Sequence, residues 1–126
     1  MRYVLLVAAL SAGIATGAAA GDDRGEIGYA PGSLGYDAIV AGDFAAAEHQ
    51  IETAAIAAND PARMLNLGYI HMRTGRTLSA QRLFEAVRDS RQHFMVELTN
   101  GQGLDSREVA RMALARLSTS VNVATR

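Results

Sequence analysis

Apolar residues recur along this chain at two periods, and the change from one to the other marks out its elements. Residues 33–41 suit a short helix, opened by Ser33 after Pro31-Gly32 and ended by Gly42. In residues 44–57, Phe44, Ala47, Ile51, Ala54 and Ala55 keep helical spacing behind Asp43 as the cap. Asp60-Pro61 is a strong helix start, with the aspartate as N-cap and the proline at the first helical position, and Gly75 ends a helix over 61–73. Thr77 then opens a helix over 78–90 with Ala80, Leu83, Phe84 and Val87 as its stripe. Beyond it the period drops to two: Phe94, Val96 and Leu98 alternate with Met95, Glu97 and Thr99. Asn100-Gly101 supplies a hairpin turn, and 102–104 would be a short return strand, so 91–105 reads as a β-hairpin region. Asp105 and Glu108 have capping-box spacing before a last helix over 106–119, whose apolar face is Val109, Met112, Ala113 and Leu117. Residues 120–126 read as a frayed tail. The fold class expected is mainly α: two helical hairpins over 33–90, a short β-hairpin and a C-terminal capping helix.

Ahead of the helices the pattern is of another kind. Residues 1–20 carry Arg2, an apolar stretch to Ile14, and small residues ending Ala18-Ala19-Ala20. That is the layout of a secretory signal peptide cleaved after Ala20, and it is too short and alanine-rich for a good membrane span. An uncleaved anchor and a part of the mature structure are the alternatives. The location expected is periplasmic or secreted. Residues 21–32, "GDDRGEIGYAPG", read as a flexible acidic lead-in.

Gly68 interrupts an otherwise good helix, where glycine costs about 1 kcal/mol relative to alanine. Its position becomes informative when the two hairpins are aligned. Gly35 matches Gly68, Gly42 matches Gly75, Ala47 matches Ala80, Ile51 matches Phe84 and Ala54 matches Val87, each pair 33 residues apart. A helix–turn–helix period of 33–34 residues is the mark of a repeat array. Over residues 61–90 the chain resembles the tetratricopeptide repeat family, on Leu67-Gly68, His71 in the usual tyrosine slot, Gly75, Ala80 and Phe84. The first repeat matches less well, with Ala38 in the aromatic slot and Pro31-Gly32 truncating its first helix. Gly35, Ala47, Leu67, Gly68, His71, Gly75, Ala80 and Phe84 are the repeat positions that the resemblance implies.

The same resemblance implies a groove for an extended peptide, lined by Tyr36, Ile39 and Val40 from the first repeat and Leu65, Tyr69, Met72 and Arg73 from the second. Tyr69 and Met72 lie off the stripe Met64, Leu67, Gly68 and His71 that packs on the partner helix. A helix apolar on two sides has two things to bury against. The second side is either filled by the preceding hairpin or the C-terminal segment, or left as a shallow groove with aromatic anchors and Arg73 for a carboxylate.

Charge and chemistry narrow the classes. Residues 21–60 hold eight acids against one arginine, and residues 61–126 hold ten arginines against five acids. The two halves either neutralise each other where they pack, or drive head-to-tail self-association or the binding of an anionic partner on the basic half. The chain has no cysteine, which excludes disulfides, thiol catalysis and cysteine-based zinc sites. It has no lysine, which excludes Schiff-base chemistry and a P-loop. His49, His71 and His93 fall on different elements without metal-ligand spacing, so no metal is expected. Glu48 and Glu52, at i and i+4, read as a solvated helix face. No serine lies in a G-x-S-x-G setting, and no nucleophile, base and orienter can be grouped from the pattern. Nucleic-acid binding is disfavoured by the export signal and the near-neutral balance. The expectation is a non-enzymatic interaction module, without cofactor, that binds a protein or peptide of the cell envelope. A self-associating structural protein is the alternative.

Overall fold

The structure, a computed structural model, describes residues 4–6, 28–98 and 100–124. The chain is mainly helical, with a small antiparallel hairpin and a C-terminal helix. Its elements are β1 (Val4–Leu6), α1 (Tyr36–Val40), α2 (Phe44–Thr53), α3 (Pro61–Arg73), α4 (Thr77–Arg88), β2 (Met95–Leu98), β3 (Gly103–Asp105) and α5 (Ser106–Ala124). No helix among the described residues is long and apolar enough to cross a membrane. Apart from the strand at Val4–Leu6, the expected signal peptide lies outside the described residues, as do residues 21–27 of the lead-in.

Helix α3 starts as its sequence dictates. The Asp60 carboxylate accepts the backbone N–H groups of Ala62 and Arg63, at 2.9 and 3.1 Å, with Pro61 in the first turn. The same carboxylate accepts the Tyr29 hydroxyl at 2.9 Å, so the end of the lead-in is tied to the second hairpin rather than loose. Both partner helices pack closely on glycines. A Cβ on Gly68 would lie 2.6 Å from Cε1 of Phe84. A Cβ on Gly35 would lie 2.9 Å from the carbonyl oxygen of Ala47.

Several boundaries differ from the pattern. Helix α1 is shorter than the expected 33–41 because Gly35 takes φ +67°, a left-handed conformation that starts the helix after it. Ser33 therefore does not cap it; its hydroxyl is buried without a hydrogen-bond partner among the described residues. Helix α2 stops at Thr53 rather than 57. Ala54 is extended, Ile56 N–H turns back to the Ala54 carbonyl, and the Arg63 guanidinium takes the Ile51 carbonyl at 2.7 Å. Arg76, not Thr77, is the N-cap of α4. The tail is helical through Ala124 instead of frayed from 120. Ser118, Thr119 and Ser120 turn their hydroxyls back onto the carbonyls of Ala115 and Leu117, which satisfies them within the helix.

The sheet order is β1-β2-β3. Strands β2 and β3 pair antiparallel, with Val96 opposite Leu104, and the turn closes between Leu98 and Gln102 with Gly101 at φ +81°. The Asn100 side chain accepts the Gln102 N–H at 2.9 Å. On the other edge β1 pairs parallel to β2, with Val4 opposite Val96, Leu5 opposite Glu97 and Leu6 opposite Leu98. Strand β1 also packs against α3.

The core has two parts. The larger gathers Leu34, Met64, Leu65, Phe84, Val87, Val96, Leu98, Val109, Ala113 and Leu117, so the ribbon and α5 cap the second hairpin. The smaller joins Ile39, Ala47, Ile51, Tyr69 and Ile70 between the hairpins. A buried side chain ties α3 to the segment before α1: the Asn66 amide donates to the Leu34 carbonyl at 2.9 Å. Beginning β2 and α5 at one point, Ser106 is fully buried and its N–H donates to the Phe94 carbonyl at 2.9 Å.

Candidate functional site

The residues expected to line a groove come from α1 and α3, but they do not share one exposure. Ile39, Leu65 and Tyr69 are buried, Tyr36 and Met72 are half-buried, and Val40 and Arg73 are exposed. Tyr69 stands edge-on to Phe44, with ring centroids 6.2 Å apart. The Arg73 guanidinium lies 5.4 Å from the Phe44 centroid and 5.8 Å from that of Tyr69, and donates to the Tyr69 hydroxyl at 2.9 Å. The preceding hairpin thus fills the second side of α3 at Tyr69. The ribbon and α5 share the core around Leu65. Val40 and Arg73 are the exposed members, while Tyr36 and Met72 are half-buried against the core between the hairpins.

Burial raises the pKa of the Tyr36 phenol, and the nearby carboxylates of Asp37 and Glu97 raise it further. Glu97 belongs to β2, so the start of α1 and the middle of β2 lie within electrostatic reach of each other. Between α3 and the outer edge of β2 runs β1. An extended segment is therefore held where the helical hairpins meet the ribbon.

A second constellation was not legible in the sequence. His71 Nδ1 lies 2.7 Å from the Ser79 hydroxyl, and His71 Nε2 lies 3.0 Å from the Glu48 carboxylate. The two glutamates expected to share a solvated face have separate fates: Glu52 is exposed, whereas Glu48 is drawn into a clasp of α2, α3 and α4. Arg76 holds Glu48 with two hydrogen bonds, at 2.7 and 2.8 Å. These bonds to Arg76, aided by His71, hold the Glu48 carboxyl below its ordinary range against the opposing effect of burial. The order hydroxyl, imidazole, carboxylate is one that nucleophilic catalysis uses. Here the carboxylate is already neutralised by an arginine, so little of its field remains to stabilise an imidazolium. The grouping does fasten three helices together. His49 is exposed, and His93 Nδ1 lies 2.6 Å from Asp105.

Burial raises the pKa of Asp105, but bonds from the Arg107 backbone, His93 and the Arg107 side chain outweigh it and keep the group low. Asp105 so caps the first turn of α5 through the Arg107 N–H at 2.9 Å. Glu108 instead pairs with Arg111 at 2.7 Å, so only half of the expected capping box forms. Among the described residues no group of three or more histidine, aspartate or glutamate side chains could hold a metal ion. A cleft of about 360 Å³ with a mixed polar and apolar lining lies between α4 and α5, with Thr77, Gln81, Glu85 and Arg88 on one side and Leu114 and Leu117 among others on the opposite one. None of its lining residues belongs to the expected groove.

No protein-family model, curated protein or solved structure matched this chain.

Proposed function

We propose that this protein is an exported, non-enzymatic interaction module of the tetratricopeptide type, which holds an extended segment of an envelope protein against its helical hairpins. The observation that carries the reading is the seating of β1, an extended segment lodged between α3 and the edge of β2. Gly35 and Gly68, 33 residues apart in sequence, each approach the following helix closely, which supports the repeat reading; the residues they meet, Ala47 and Phe84, are 37 apart and are not partners in the alignment. The signal-like residues 1–20 support export to the periplasm or medium. In this reading Val40, Met72 and the partly exposed Tyr36 contact the partner, and Arg73 offers its remaining donors to a carboxylate. Leu65, Tyr69 and Ile39 shape the floor from beneath.

A photo-crosslinking residue tests this directly. Placed at Val40, which is 54% exposed, it is expected to trap an envelope protein in the native host. Arg73→Glu is expected to abolish the adduct without changing the circular dichroism spectrum. Adduct formation from Arg116 on α5 but not from Val40 would place the partner elsewhere.

One observation favours self-association as a second reading. Asp37, Asp43 and Glu52 are exposed on the acidic hairpin, while Arg82, Arg91 and Arg116 are exposed on the basic part. The two halves keep opposite charge at the surface. Sedimentation that is independent of protein concentration and salt would exclude this reading.

A further inference from the structure

The hydrogen bonds of β2 alternate in direction, and the alternation assigns a role to each of its residues. Leu98 N–H donates to the Gln102 carbonyl, and the Phe94 carbonyl accepts the Ser106 N–H. Residues 94, 96 and 98 therefore turn their backbone groups toward β3. By the antiparallel rule, Met95 and Glu97 turn theirs to the opposite, outer edge. Side chains alternate as well: Val96 and Leu98 are buried in the core, whereas Met95 and Glu97 are half-buried on the other face. The outer edge thus offers the backbone of Glu97, a dry floor beside Val96 and Leu98, and a carboxylate on the far face. Strand β1 occupies that edge with Leu5 opposite Glu97, which brings no cation to the carboxylate.

Removing residues 1–20 on export takes β1 away. It leaves a short ribbon with an open edge, and such an edge is a template for another strand. We propose that the outer edge of β2 is an acceptor for one extended segment of a partner polypeptide, added parallel in the register of Val4–Leu6, with apolar residues opposite Val96 and Leu98 and a basic residue opposite Glu97. This rests on the export reading above and names the shape and chemistry of its partner. Main-chain bonds to Glu97 supply affinity, and the alternate side chains supply specificity. An arriving strand also strips water from the Glu97 carboxylate, and a cation opposite it offsets that loss. Val4–Leu6 has the apolar pattern but a leucine opposite Glu97, so on the edge that its removal vacates, a strand with a cation at that position binds more tightly.

The test uses protein extracted from the envelope of its host, with its N-terminus determined by mass spectrometry. Two fluorescent peptides serve as probes: residues 2–7 of this chain, and the same peptide with Leu5→Arg. The expected result is loss of residues 1–20, binding of both peptides, and about tenfold tighter binding of the arginine peptide. Glu97→Gln is expected to erase that preference while keeping binding. Glu97→Pro is expected to abolish binding of both, since it removes the outward N–H but none of the bonds to β3. An unchanged circular dichroism spectrum identifies variants that remain folded. Retention of residues 1–20 in the host protein overturns the export reading and this inference together. A processed protein that binds neither peptide, or binds them undiminished after Glu97→Pro, overturns the inference alone. A dimer of the processed protein that Glu97→Pro dissolves, without peptide binding, assigns the edge to a second copy and overturns it too.

Discussion

Gly68→Ala places two effects of opposite sign on one methyl group. In an isolated helix the alanine gains about 1 kcal/mol over glycine. In this fold the new Cβ meets three ring atoms of Phe84, at 2.6, 2.9 and 3.0 Å. Phe84 is 2% exposed and packed in the larger core, so its ring is not the free end of a flexible chain. To restore ordinary contact the ring must retreat by about 0.8 Å, and forcing extra volume into a packed core costs about 1–3 kcal/mol. The clash exceeds the propensity gain, and the net expectation is a loss of about 1 kcal/mol. Urea denaturation followed by circular dichroism reads this as a lower midpoint with an unchanged slope. The decisive arm is a double-mutant cycle with Phe84→Leu, which removes the ring edge. In that background Gly68→Ala is expected to stabilise by about 0.5–1 kcal/mol, leaving a coupling energy of about 2 kcal/mol. A Gly68→Ala protein more stable than the parent, or an equal loss in both backgrounds, would refute the close-packing account.

Asn66→Ala is expected to cost about 2 kcal/mol in the same assay, because it removes a fully buried side chain and its hydrogen bond to the Leu34 carbonyl. Tyr69→Phe keeps the edge-on contact with Phe44 and loses only the Arg73 bond, for a cost under about 1 kcal/mol, while Tyr69→Ala is expected to lose about 3 kcal/mol by opening a cavity. Equal losses from the two would show that the ring contributes little there. The Glu48 carboxyl titrates below its ordinary value of 4.5 in the folded protein. Its contribution is therefore complete above that value and lost as pH falls through the lower folded pKa. Chemical denaturation across that window is expected to show a shallower acid decline in Glu48→Gln than in the parent, and identical slopes would remove Glu48 from the account.

The ladder of local signals was legible in the chain itself. Asp60-Pro61 starts α3 because capping and a fixed φ are properties of those two residues and of nothing distant. The strand period at 94–98 and the Asn100-Gly101 turn also emerged as read, since alternation and positive φ are local choices. Gly68, which the repeat alignment singled out, lies directly against the Phe84 ring of the facing helix. Where the pattern misled, a distant partner or an unusual backbone intervened. Alanines at 54–57 have helical propensity, yet Arg63 takes the Ile51 carbonyl from twelve residues away and the chain leaves the helix. Serine and threonine at 118–120 read as tail, but in the context of α5 their hydroxyls close on its own carbonyls.

The candidate site divides the same way. The repeat resemblance implied the face of Tyr36, Ile39, Val40, Leu65, Tyr69, Met72 and Arg73, of which periodicity itself set Tyr69 and Met72 off the helix-pairing stripe. Neither could say which of them a neighbouring hairpin would cover, because burial is decided by what packs on a face and not by the face. Phe44 covers Tyr69, and the ribbon with α5 closes on Leu65, leaving Val40 and Arg73 exposed. The clasp of Glu48, His71, Ser79 and Arg76 joins residues up to 31 positions apart, and no spacing rule links them. The pairing of β1 with β2 likewise depends on two segments some ninety residues apart meeting in register. Helix starts and turns are written in neighbouring residues. The clasp, the covered groove and the occupied sheet edge exist only once the helices are packed, since each needs groups that the chain alone keeps far apart.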